Sequence, residues 1–118
     1  MAERTSSLRG GEVLEALEAV IASRRAAPSA SSYTSTRLAA GGVAIGAKVT
    51  EEAAELVQAA VAESDERVVS EASDLLYHTL VLLAARDLTL ARVGDELARR
   101  FGTSGLAEKA ARSGGGRP

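Results

Sequence analysis

The stretch Lys48–His78, KVTEEAAELVQAAVAESDERVVSEASDLLYH, decides the fold. On either side of a polar break over Glu63–Arg67, apolar residues recur at helical spacing, so the stretch predicts two consecutive helices. Each helix carries an acidic pair, Glu52-x-x-Glu55 on the first and Glu71-x-x-Asp74 on the second. Three-residue spacing places both side chains of a pair on one face. Two antiparallel helices bearing such pairs can close four carboxylates round a hard cation.

The first helix is expected from about Val43 to Glu63. At roughly 100° per residue, Lys48, Glu51, Glu52 and Glu55 fall on one stripe, while Val49, Ala53, Leu56, Val57 and Ala60 fall on another. Alone, this is an amphipathic helix with a solvated acidic face and a Lys48–Glu52 pair. The second helix, expected from Val68 to Arg86, changes the balance. Its apolar residues cover nearly the whole circumference, the pattern of a central helix. Glu71, Asp74 and His78 share a stripe flanked by Leu75, Val81 and Leu82, which points that stripe inward. Buried carboxylates must be protonated, paired or metal-bound. The facing stripe supplies one lysine against three glutamates, so a divalent cation is the expected solution. His78 is expected as a hydrogen-bonded core residue or the partner of a ligand. Glu-x-x-His, the repeated motif of carboxylate di-iron bundles, is missing.

Toward the C-terminus, residues 86–88 make a break. Thr89 caps a further helix with Leu90, Val93, Leu97 and Phe101 on one stripe, and Gly102 ends it. Residues 103–118 are small, polar and glycine-rich, and are expected to form a flexible tail. Toward the N-terminus, Val13, Leu14, Leu17, Val20 and Ile21 predict a helix from about Glu12 to Arg25, stopped before Pro28, with residues 1–11 flexible. Arg24 and Arg25 complement the helix dipole or face a phosphate. Ser32-Tyr33-Thr34 follows in a loop, with Thr34 expected to cap a short turn through Leu38 that Gly41-Gly42 stops. These hydroxyls serve either as caps or as contacts to substrate.

The 118 residues therefore read as one all-α domain over 12–102, a four-helix bundle. Hydrophobic residues make up 46%, yet the only aromatics are Tyr33, Tyr77 and Phe101. Ala, Leu and Val must fill the core, and a thin bundle of this kind is expected to complete it against a second copy. A net charge of −2 gives no reason to expect nucleic acid or an anionic membrane as partner. The longest apolar run, Leu75–Ala85, is short for a bilayer, so a soluble cytoplasmic protein is expected. With no cysteine, zinc thiolate sites and thiol nucleophiles are excluded. Oxygen donors select Mg²⁺, or Mn²⁺ in its place. Such a site suits phosphoanhydride hydrolysis, with Lys48 stabilising a phosphate oxygen. A Walker-type ATPase is excluded, since the chain lacks its Gly-x-x-x-x-Gly-Lys loop.

Ser32-Tyr33-Thr34, Lys48-Val49-x-Glu51-Glu52-Ala53-x-Glu55 and Glu71-x-x-Asp74-Leu75-Leu76-Tyr77-His78 together resemble the phosphoribosyl-ATP pyrophosphohydrolases of histidine biosynthesis. These belong to the all-α, MazG-like nucleotide pyrophosphohydrolase superfamily. The resemblance covers about Leu14 to Arg100. It implies a homodimer or larger assembly, Mg²⁺ dependence, and cleavage of phosphoribosyl-ATP between its α and β phosphates. It further implies Glu52, Glu55, Glu71 and Asp74 as metal ligands and Glu51 as an outer ligand or general base. Lys48 would meet phosphate, and Ser32, Tyr33 and Thr34 would contact the substrate. Two other readings stand beside it: a sister enzyme clearing noncanonical nucleoside triphosphates with the same cage, and a silent helical module whose acidic stripe is simply solvated.

Overall fold

A computed structural model describes residues 8–101. All regular structure among them is α-helical: α1 (Gly11–Ala26), α2 (Tyr33–Ala40), α3 (Gly42–Ala62), α4 (Asp65–Ala85) and α5 (Leu90–Phe101). The tail expected over 103–118 lies outside the described residues. The chain divides into two compact units, one through Leu88 and one from Thr89.

In the first unit α3 and α4 form the central hairpin, and α1 and α2 pack against it. The break expected over Glu63–Arg67 shrinks to Glu63 and Ser64. Ser64 holds an extended backbone and its Oγ accepts the Arg67 N–H at 3.2 Å, so it caps α4. Asp65 and Glu66 then fall in the first turn, where negative charge complements the helix dipole. Polarity that reads as a loop is thus a helix start, and Arg67 belongs to α4.

A similar correction applies to α2. Its cap is Ser32, not Thr34: Ser32 Oγ accepts the Ser35 N–H at 3.2 Å, and Thr34 sits inside the first turn. Buried Ser35 pins the preceding loop, its Oγ accepting from the Ser29 N–H and donating to the Arg24 carbonyl. Gly41 ends α2 and opens α3 at φ 91°, a conformation that only glycine adopts without strain. Leu83, Ala84 and the Asp87–Leu88 amides close α4 in a Schellman arrangement, with Asp87 at φ 61° where glycine is usual. The Asp87 carboxylate meets Arg25 at 2.5 Å and so ties the end of α4 to α1.

The buried apolar residues are Ile21, Ile45, Ala59, Leu80 and Val81. On α3 the buried seam is Ile45, Glu52 and Ala59 at seven-residue spacing, and not the expected apolar stripe, from which Val57 stands 63% exposed. On α4 the buried set is Glu71, His78, Leu80 and Val81. Apolar on every side, α4 is not covered on every side: Val69 is 66% exposed and Leu76 49%. Its length and composition are those of a membrane-crossing helix, a test that the central helix of a bundle also passes.

In the second unit, Thr89 Oγ1 accepts the Arg92 N–H at 3.3 Å, capping α5 as expected. Arg99 and Arg100, in the last turn of α5, both bond to Glu96. The Arg99 fork donates to both of its oxygens at 2.7 and 3.1 Å, and Arg100 Nε donates at 3.0 Å.

Candidate active site

Packing the α3 and α4 seams together brings Glu52 against Glu71. Both are buried, at 6% and 3% exposure, Glu52 between Ile45 and Ala59 on the α3 seam and Glu71 seven residues before buried His78 on α4. Glu52, Glu71 and Asp74 each offer a carboxylate oxygen within 4.8 Å of the other two, and Glu51, Glu52 and Glu55 form a second such group. Glu52 is common to both. The two acidic pairs predicted from spacing therefore converge, with Asp74, Glu51 and Glu55 open to solvent. One oxygen of each buried acid, Glu52 Oε2 and Glu71 Oε1, is buried without a hydrogen-bond partner among the described residues.

Such orphaned oxygens are costly unless a cation meets them. Lys48 reaches the other oxygen, Oε1, of Glu52 at 3.4 Å and Glu51 Oε1 at 3.2 Å. Neutralisation by Glu51, then Glu52, holds the Lys48 ammonium above its ordinary pKa against partial burial. Arg67 is the cation that counting stripes missed. Its Nη2 donates to Glu71 Oε2 and its Nε donates to Glu63 Oε1 at 3.2 Å. Even so, the Glu71 carboxyl is pushed above its ordinary value, foremost by burial. Arg67 opposes the rise, while the charges of Glu55, Glu52 and Asp74 add to it. Two basic residues leave this cluster over-supplied with negative charge. The donor set is all oxygen and suits a hard divalent cation.

Beside the carboxylates, the two aromatic motifs meet. His78 Nδ1 lies 2.8 Å from the Asp74 carbonyl, which can only accept, so Nδ1 carries the proton. In the neutral ring Nε2 is then an acceptor, and the Tyr33 hydroxyl donates to it at 3.2 Å. Thr34 Oγ1 and the Tyr77 hydroxyl bond at 2.5 Å. Tyr33 and Tyr77 stack at 6.0 Å between centroids, and the Arg37 guanidinium carbon lies 5.5 Å from the Tyr33 ring centre. His78 thus fills the hydrogen-bonded role expected of it, one turn beyond Asp74.

Residues 14–101 match the family described as phosphoribosyl-ATP pyrophosphohydrolase. The chain belongs to that family. A phosphoribosyl-ATP pyrophosphatase of Rhodospirillum rubrum is 53% identical over 103 residues, covering 87% of this chain and 88% of the relative. One from a Caulobacter species is 54% identical over 101 residues, 86% of this chain and 94% of its own. One from Novosphingobium aromaticivorans is 50% identical over 103 residues, 87% of this chain and 96% of its own. Like other phosphoribosyl-ATP pyrophosphohydrolases the chain is a hydrolase, and the family match begins in α1 and ends with α5.

Proposed function

We propose that residues 12–102 hydrolyse phosphoribosyl-ATP to phosphoribosyl-AMP and pyrophosphate, a step of histidine biosynthesis in the cytoplasm, with Mg²⁺ as cofactor and Mn²⁺ as its substitute. The observation that carries this reading is the pair of orphaned buried oxygens, Glu52 Oε2 and Glu71 Oε1, within one cluster of converging carboxylates. Glu52, Glu55, Glu71 and Asp74 hold the metal. When bound, the divalent cation neutralises phosphate charge and polarises the phosphoryl oxygens.

The remaining roles fall to the chain's own side chains. Lys48, held at the edge of the cluster by Glu51 and Glu52, binds a phosphate oxygen. Glu51 is exposed and serves as the base that takes the proton from the attacking water. Tyr33, 54% exposed, offers a ring face to the adenine. The Thr34–Tyr77 hydroxyl pair spends one hydrogen internally and keeps the other for substrate. Ser32 accepts from the Ser35 N–H, which leaves its own hydrogen to donate.

The active species is a homodimer or a larger homo-oligomer. Val57 and Val61 on α3 and Val69 and Leu76 on α4 are apolar residues that this chain leaves exposed, and a second copy would cover them. Neither nucleic acid nor membrane is among the proposed partners. The test is pyrophosphate release from the purified protein with Mg²⁺, comparing phosphoribosyl-ATP with dUTP, dCTP and ATP. Turnover of phosphoribosyl-ATP that Glu52→Gln abolishes is the expected result. Cleavage of the simpler triphosphates instead would reassign the substrate, and no cleavage of any would overturn the reading.

A further inference from the structure

The central hairpin carries one pattern twice. Lys48-x-x-x-Glu52-x-x-Glu55 on α3 is matched by Arg67-x-x-x-Glu71-x-x-Asp74 on α4: a base, an acid four residues on, and a second acid three further. In each copy the base pairs with the buried acid one turn C-terminal to it. The helices run antiparallel across a two-residue link, so the two bases approach the shared carboxylates from opposite ends. The ends differ. Tyr77 and His78 lie one turn beyond Asp74, at the end facing Lys48, and Tyr33 and Thr34 bond to them there. At the other end Arg67 is bordered by the acids Glu63, Glu71 and Glu55, and its side chain is 53% exposed.

We propose that Arg67 is a phosphate-binding residue of the hydrolase site, receiving the two phosphates that leave as pyrophosphate while the nucleoside lies toward Tyr33 and Tyr77. The inference rests on the proposed hydrolysis of a nucleoside triphosphate derivative. A planar guanidinium with five donors engages two phosphate oxygens at once, which an ammonium cannot. Its present partner is the obstacle: Arg67 holds Glu71 Oε2, and a divalent cation would take the orphaned Oε1 of the same carboxylate. Two cations sharing one negative charge each weaken the other's hold, so metal and Arg67 compete for Glu71, and a metal there would loosen the fork for phosphate. This competition makes two effects of opposite sign.

The test is calorimetric titration of the protein stripped of divalent cations, first with Mg²⁺ and then, Mg²⁺-loaded, with inorganic pyrophosphate or AMP. Relative to the wild type, Arg67→Met should bind Mg²⁺ several-fold more tightly. It should bind pyrophosphate about tenfold more weakly, the scale of one lost charge-assisted hydrogen bond. AMP binding should be unchanged, and Arg67→Lys should recover part of the pyrophosphate loss. A folding defect would weaken every ligand together, and Arg67→Gln supplies a second neutral variant should the methionine not fold. Wild-type binding of both ligands with no change in Arg67→Met, or a loss for AMP in place of pyrophosphate, would overturn the role of Arg67 alone. A wild type that binds neither Mg²⁺ nor pyrophosphate would overturn the hydrolase reading and this inference with it.

Discussion

Glu71→Gln should reverse its own effect on stability according to whether a divalent cation is bound. A carboxyl whose folded pKa lies above its ordinary 4.5 holds its proton more tightly in the folded protein than in the unfolded chain. The unfolded chain then binds fewer protons than the native state between the two values, so stability falls as pH rises through that window. The penalty is absent below about 4.5 and complete above the raised folded value. Without divalent cations at neutral pH, Glu71→Gln should therefore melt higher than the wild type, and acidification toward pH 4.5 should close the gap. Metal inverts the ranking. At a Mg²⁺ concentration about 100 times its Kd, binding to the native state alone adds ~2.7 kcal/mol to the wild type. For a unit of this size that is a rise in Tm of about 10–20 °C. The glutamine variant lacks one of the two buried carboxylates and should gain little of it. Thermal melts followed by circular dichroism, with chelator and with Mg²⁺ at fixed protein concentration, measure all four values. A variant that melts below the wild type in chelator at neutral pH, or keeps the full Mg²⁺ shift, would refute the account of Glu71 as a strained buried anion awaiting a cation.

Three further outcomes follow from the packing and the charges. Ile45 is fully buried on α3, and Ile45→Ala should cost about 2–5 kcal/mol in urea unfolding, a large share of a small domain's stability; a loss below ~1 kcal/mol would mean that the thin core closes over the gap. Thr34→Val and Tyr77→Phe each break the 2.5 Å bond between the two sequence motifs. A double-mutant cycle should return a coupling of about 1 kcal/mol, and additivity of the two would show that the contact is idle. Glu96, bonded by Arg99 and then Arg100, has its carboxyl lowered from 4.5 to about 2. Its support of α5 should thus persist from neutral pH down through about 4.5 and disappear only as pH falls toward 2, read by the NMR titration of its side chain. An inflection near 4.5 would deny those bonds in solution.

What could be read from the chain alone was set by periodicity, and what escaped was set by contacts between helices. Spacing alone placed Glu52, Glu55, Glu71 and Asp74 on two facing helices, because helical geometry maps sequence offset directly onto direction. The same geometry says nothing of depth. Glu51, Glu52 and Glu55 share one stripe, yet only Glu52 is buried, because only its position falls on the seam that also holds Ile45 and Ala59. Arg67 was hidden by a different effect. Ser64, Asp65 and Glu66 are the residues of a loop by composition and the residues of a helix start by capping and dipole, and composition was the weaker guide. Counting Arg67 as loop removed one of the two cations from the site and made a metal look like the only available counter-charge. Restoring it does not remove the need: Arg67 satisfies one oxygen of Glu71 and Lys48 one of Glu52, and the opposite oxygen of each stays buried without a partner. The need for a cation therefore rests on two named oxygen atoms, one on each buried acid, and not on a count of charges along the chain; an isosteric amide at Glu52 or at Glu71 removes the charge of one and leaves the other in place.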